Sequence, residues 1–261
     1  MRSVKPSNVA ARLAAFLLPT ARKAVAADVR IGLGYTAVLL DDDRLGLAYT
    51  FRDKAAPCCS VFRDDRPLAG RLASELLELL DSADPISAAV GLACANALAN
   101  RPGGRSLSGD VLAHLDIGPK DTAVMVGNFQ PLVGPLKSRA GSLSVFDLSH
   151  REGVRPAHEA EAALAECQVA IITATALLNG TMDGLLRAAS NCRQVAVLGA
   201  STPLLREAFA GTNVTLLSGV TAKSPKDILR VVSEGGGMRR FAPFVRKASL
   251  RMTDKEAGHG G

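Results

Sequence analysis

The sequence predicts an α/β protein, with an N-terminal α+β half followed by a C-terminal doubly wound parallel sheet. Three observations predict it. Residues 29–51 carry the grammar of a β-hairpin, and residues after 121 alternate short apolar strands with amphipathic helices. Between them lies the breaker-rich stretch Asn100-Arg-Pro-Gly-Gly-Arg-Ser-Leu-Ser-Gly109, which suits a connection between domains. The expected division is residues 1–105 and 106–261.

Taken in order, the chain opens with Val9, Leu13, Phe16, Leu17 and Ala24 at helical spacing, and Arg12 interrupts the apolar run. That is an amphipathic helix and not a signal sequence, although Arg2 and Lys5 precede it. Val29–Leu40 reads as a strand, Asp41–Arg44 as its turn, and Leu45–Phe51 as the returning strand. Gly32, Gly34 and Gly46 point to bulges or close backbone contacts. One helix is expected from near Pro67 through Leu80, and another from Pro85 through Asn96. Asp110 then caps a short helix carrying Val111, Leu112 and Leu115.

The second half supplies strands at Ala123–Val126, Leu143–Phe146, Val169–Ile172, Gln194–Leu198 and Val214–Leu217. Helices are expected near Leu132–Ala140, Glu159–Leu164, Asp183–Ala189, Pro203–Ala210 and Pro225–Val232. Right-handed crossovers favour the strand order 2-1-3-4-5.

Composition narrows the function classes. Hydrophobic residues at 48% and charged residues at 21% of 261 are ordinary for a soluble globular chain. Aromatics at 4% and no Trp argue against stacking platforms for single strands, so no specific nucleic-acid binding is expected. The net charge of +6 is partly in the tail, at Arg239, Arg240, Arg246, Lys247, Arg251 and Lys255. That tail reads as a solvated, partly disordered end; a weak polyanion contact is the alternative.

Cys58, Cys59, Cys94, Cys167 and Cys192 are odd in number and lack C-x-x-C spacing. This argues against a disulfide framework and for a reducing compartment. Cys58-Cys59 has no second cysteine pair to complete a structural zinc site. The histidines show no metal-ligand spacing: His259 sits in the tail, while His150 and His158 flank the connection after the second strand of the parallel sheet. No segment is long and apolar enough to span a bilayer, so a cytoplasmic protein is expected. Oligomeric state is not legible.

Parallel sheets place ligands at the carboxyl ends of their strands, at the switch in strand order. The loops meeting there are Gly127-Asn-Phe-Gln-Pro131 and Thr173–Asp183, with Gly199-Ala-Ser-Thr-Pro203 beside them. All three combine small residues with hydroxyls or amides and lead toward helix starts, where free N–H groups hold anions or polar ligands. The candidate ligand residues are Gly127, Asn128, Phe129, Thr173, Thr175, Asn179, Gly180, Thr181, Ser201 and Thr202. Taken singly, Thr181 and Thr202 read equally as helix caps, and Asn179-Gly180 as a turn. Asp147 closes the second strand about twenty residues after Gly127, where an acid can take ribose hydroxyls. There is no G-x-G-x-x-G, no P-loop and no G-x-S-x-G elbow.

Val126–Val133, Ser144-Val-Phe-Asp147, Leu198–Pro203 and above all Ile172-Thr-Ala-Thr-Ala-Leu-Leu-Asn-Gly-Thr-Met-Asp183 resemble the carboxyl domain of the putative heavy-metal chelation family. Ile31–Thr36, Gly46–Ala48 and Gly91–Ala97 resemble its companion domain. The resemblance implies an enolase-N-terminal-like domain packed on a Rossmann-like domain, with a polar cleft between them. Asn128 and Asp147 stand where that pattern leads us to expect His and Glu, and the first difference removes a possible metal ligand.

The leading reading is a metal-homeostasis protein holding a small polar metabolite or metal chelate between its domains. In it Asn96 reaches across from the first domain to the loops. The alternatives are an enzyme using an adenosine-type cofactor (methyl donor or nicotinamide) with Asp147 at the ribose, and a binding module without chemistry. No evident general base in the loops keeps the last one open.

Overall fold

A computed structural model of the chain describes residues 8–54, 62, 66–101, 103, 107, 109–149 and 151–253. Cys58, Cys59, His150, Lys255 and His259 lie outside the described residues, and so do the expectations placed on them.

Helix α1 (Val9–Ala21) starts where the Asn8 side chain accepts the Ala11 N–H, and it buries Val9, Leu13, Leu17 and Ala21 on one face. An antiparallel sheet follows, of β1 (Ala26–Ile31), β2 (Tyr35–Leu40) and β3 (Leu45–Tyr49). The single strand expected over Val29–Leu40 is therefore two. The chain turns at Gly32-Leu33-Gly34, where Gly32 N–H donates to the Tyr35 carbonyl and its α-carbon lies against the Val232 carbonyl, with no room for a side chain. Helix α2 (Ala73–Glu78) begins later than expected, because the Arg71 guanidinium donates to the Pro67 and Arg66 carbonyls and holds that approach as turns.

Helix α3 (Pro85–Ala99) has Asp84 as its cap and Pro85 in its first turn, and every residue from Ile86 to Leu98 is buried. A helix apolar all round belongs at the centre of a core. Gly46 of β3 permits this, since a β-carbon there would collide with the Ala93 carbonyl and the Ala97 N–H.

The second half builds β4 (Thr122–Val126), α4 (Gln130–Arg139), β5 (Ser142–Asp147), the two-residue β6 (Arg155–Pro156), α5 (Ala160–Glu166) and β7 (Val169–Thr173). It continues through α6 (Met182–Ala188), β8 (Gln194–Leu198), β9 (Leu216–Ala222), α7 (Pro225–Ser233), α8 (Met238–Phe241) and β10 (Val245–Arg251). Among the described residues this sheet runs β10-β9-β8-β7-β4-β5-β6 and is separate from the hairpin sheet. Its pairs are parallel except β9–β10. The central run β5-β4-β7-β8-β9 is the expected 2-1-3-4-5.

Two further expectations are corrected. The basic tail is not solvated throughout: Val245–Arg251 pairs along the whole of β9, with Ala248 and Ser249 buried while Arg246, Lys247 and Arg251 point outward. Arg246 and Lys247 are consecutive and so point to opposite faces, and charges placed this way on an outer strand hide its strand character. The helix expected over Pro203–Ala210 is only a short 3-10 turn at Arg206–Phe209. The chain before it is held open because the Leu204 N–H donates to Asn100 Oδ1 at 2.7 Å.

One apolar cluster runs through both halves, from Val9, Leu76 and Leu92 to Ile172, Leu186 and Phe209. Among the described residues no helix is long and apolar enough to cross a membrane.

Candidate functional site

The strand order brings the β4 and β7 loops together at the carboxyl end of the sheet, and the end of β3 approaches the same edge. The sequence-predicted residues separate there into four groups.

The first is a cluster closed upon itself. Gly127 has φ +96° and packs so tightly that an added β-carbon would sit 2.6 Å from Thr173 Cβ. Asp147 Oδ2 accepts the Asn128 N–H at 2.9 Å, and Oδ1 accepts the Ser149 N–H and hydroxyl at 2.8 and 2.6 Å. The carboxylate thus ties the β4 loop to the β5 loop. Asn128 Oδ1 accepts from Gln130, while its buried Nδ2 has no partner among the described residues. Phe129 lies against Gly199. Thr173 and Thr175 share a hydroxyl hydrogen bond of 3.0 Å, and the Thr173 side chain caps the turn Ala174–Leu177.

The second group lines an open cleft. Asn179 Oδ1 accepts both the Thr181 N–H and hydroxyl, at 3.2 and 2.7 Å, which fixes the amide's orientation. Its Nδ2 has no partner among the described residues. Thr181 is therefore spent on Asn179 rather than on capping α6. Asn179 and Gly180 border a cleft of about 560 Å³ whose other walls include Phe51 and Lys54 beyond β3, Ser82 ahead of α3 and Pro85 at its start, and Asn8. Asp183, also on its wall, accepts the Val9 N–H at 3.1 Å, so the first turn of α6 in the second half completes the first turn of α1.

Ser201 and Thr202 form the third group, buried in the seam between the halves at 2% and 0% exposure. Ser201 Oγ accepts the Tyr49 N–H at 2.8 Å, and the Thr202 hydroxyl is buried without a partner among the described residues. Asn96 stands alone as the fourth: its Nδ2 donates to the Leu47 carbonyl at 2.7 Å, inside the first half.

The residue that does cross is Asn100, one helical turn on. Its Nδ2 donates to the Thr202 and Val220 carbonyls at 2.9 and 3.2 Å while its Oδ1 takes the Leu204 N–H. Sequence reasoning placed it in a linker. The available signal was two asparagines four apart in an otherwise apolar helix, which share one face. The aromatic side of the cleft was also missed. Tyr35 meets Phe241 and Tyr49 edge-on at 4.9 and 5.8 Å, and Tyr49 meets Phe51 at 5.1 Å, so a ladder runs from α8 to the cleft wall. Burial, with the neighbouring Tyr49 second, pushes the Tyr35 hydroxyl up to about 12.

A model described as putative heavy-metal chelation matches residues 110–251, and a second with the same description matches residues 15–99. The chain belongs to the putative heavy-metal chelation family. An uncharacterized protein of Methanocaldococcus jannaschii is 28% identical over 197 residues, which cover 72% of this chain and 75% of that protein. A crystal structure of a protein of unknown function from Pyrococcus horikoshii superposes with a TM-score of 0.83 at 22% identity, covering 93% of this chain and 99% of the other. One from Desulfitobacterium hafniense gives 0.80 at 20% identity, with coverages of 93% and 98%. Likeness at these identities is likeness of fold.

The family description raises the question of a metal, and the side chains answer part of it. Among the described residues no three His, Cys, Asp or Glu side chains converge into a coordination set. The cleft offers instead the Asn179 amide, Lys54, the carboxylates of Asp81 and Asp183, and apolar side chains such as Phe51, Leu177 and Met182.

Proposed function

We propose that this protein binds a small polar metabolite or a preformed metal chelate in the cleft bordered by Asn179. The dividing line near residue 105 then separates the wall carrying Phe51 and Lys54 from the wall carrying Asn179. The observation that carries the reading is the Asn179 amide, whose oxygen is consumed by Thr181 and whose Nδ2 is left over beside the cleft. A pre-oriented donor costs little to organise when a ligand arrives. In a family described by metal chelation, a chelate brings its own metal ligands, so the protein has only to recognise its anionic periphery. Lys54 supplies a cation at the opposite wall. No observation favours the adenosine-cofactor reading to the same degree, since both Asp147 oxygens are already engaged by loop donors.

Calorimetric titration with divalent transition-metal ions, preformed carboxylate chelates of those ions, and adenosine cofactors tests the proposal. The expected result is saturable binding of a chelate. Asn179→Asp replaces the donor with a charged acceptor, and should weaken that binding by about 1.5–3 kcal/mol, roughly ten- to a hundredfold. Its melting temperature should stay close to that of the parent, because Asp keeps the oxygen that Thr181 uses. Unchanged affinity in the folded variant removes Asn179 from the site, and binding of the bare ions alone overturns the chelate reading.

A further inference from the structure

Two thiols lie outside the cleft, and neither is needed by it. Cys167 precedes β7 by two residues and Cys192 precedes β8 by two, in register with one another because Val169 pairs with Gln194. Their sulfurs are 3.1 Å apart, buried at 3% and 7% exposure. We infer that Cys167 and Cys192 are a modification site, a buried dithiol that hydrogen peroxide converts reversibly to a disulfide.

The geometry favours this bond over a bound ion. Neighbouring strands run about 4.7–4.9 Å apart, inside the 4.4–6.8 Å between α-carbons that a disulfide spans. The sulfurs need to close by about 1 Å to reach bonding distance. A thiophilic ion held linearly between two thiolates, each about 2.3 Å from it, would force them apart to about 4.6 Å in a packed core. Among the described residues no His, Asp, Glu or further Cys side chain joins the pair as a third ligand.

The pair is also polarised. The hydrogen bond between the two sulfurs, in which either can donate, holds Cys192 below its ordinary range against the opposing effect of burial and pushes Cys167 up, and the Leu164 carbonyl lies 3.3 Å from the Cys192 sulfur and 3.6 Å from that of Cys167. Cys94 shows the contrast: buried alone against the Ala73 carbonyl, it is pushed up to about 12 by burial. Peroxide, little larger than water, is the oxidant that a buried pair admits most easily. The Cys192 thiolate attacks one peroxide oxygen, the O–O bond breaks, and the leaving hydroxide takes up the thiol proton as water, leaving a sulfenic acid. The Cys167 thiolate then attacks that sulfur, the S–O bond breaks, and hydroxide leaves with the second proton as water. Two electrons pass to the peroxide, and two waters are formed.

The bond would close a loop of 25 residues holding β7, the Asn179 turn and α6. The test is peroxide treatment of the full chain, alkylation of remaining thiols, tryptic digestion and mass spectrometry. The expected product joins the peptide Ala188–Arg193 to the peptide Glu152–Arg187, is reversed by dithiothreitol, and raises the melting temperature by about 5–10 °C. Cys167→Ala should instead accumulate a sulfenic acid at Cys192 that a dimedone probe labels. The inference is overturned if both thiols are still alkylated after peroxide. It is equally overturned if Cys192 pairs with Cys58, Cys59 or Cys94, or if a retained thiophilic ion shields both sulfurs.

Discussion

The β4 and β7 loops look alike in sequence, each an asparagine beside a glycine at the end of an apolar strand, yet the fold spends them differently. In the β4 loop, Asp147 draws the backbone inward, and Gly127 is pressed against Thr173. In the β7 loop, Gly180 has no atom within 4 Å of where a β-carbon would be, and Asn179 keeps a free donor at the cleft. The same residue types therefore serve closure in one place and, in the function proposed above, recognition in the other. What separates them is a carboxylate from the neighbouring strand end that takes the Asn128 backbone N–H and draws that loop inward, so the Asn128 Nδ2 is left over in a buried place while the Asn179 Nδ2 is left over beside the cleft.

The largest expected effect is at Gly127. Alanine there meets both a left-handed backbone and a side chain already in contact, strain of about 1–2 kcal/mol plus overpacking of about 1–3 kcal/mol. Gly127→Ala should therefore lose about 3–4 kcal/mol in denaturant unfolding. A loss below 1 kcal/mol would mean that the β4 loop is as loose as the β7 loop, and the comparison would fail.

Asp147→Ala comes next. It strips partners from the Asn128 and Ser149 N–H groups at once, and charged hydrogen bonds of this kind contribute about 1.5–3 kcal/mol. The expected result is a stability loss of about 2–3 kcal/mol, with chelate affinity changed less than threefold. A large affinity loss in a variant that keeps its melting temperature would move the binding site from Asn179 to Asp147.

The contrast between loops also marks how far the sequence could be read. Strand order followed from apolar runs and crossover handedness, both local signals. The role of Asp147 required knowing that β4 and β5 are neighbours, since it bonds a backbone 19 residues away. Asn100 sits in a stretch full of breakers, and its partners Thr202 and Val220 lie more than a hundred residues on, so nothing local distinguishes a bolt from a linker. The strand at 245–251 was masked by arginines and a lysine that mean solvent in a tail and an edge in a sheet. The cleft itself needs both halves, and Phe51, Lys54 and Ser82 on its wall carry no motif.

The smallest effect, and the sharpest test of the difference, is Gly180→Ala. Gly180 has φ +72°, so alanine there pays for a left-handed conformation, about 1 kcal/mol, but meets no clash. For a chain of this size that lowers the melting temperature by about 2–4 °C. The added methyl projects into open space beside the cleft, so a ligand that packs across the turn should lose affinity, by about two- to tenfold. A ligand held only through the Asn179 amide should not notice it. Measuring both quantities on one variant separates the two, because stability reports the backbone and affinity reports the cleft. If Gly180→Ala is as destabilising as Gly127→Ala, the β7 loop is closed like its neighbour, and Asn179 returns to being a turn residue.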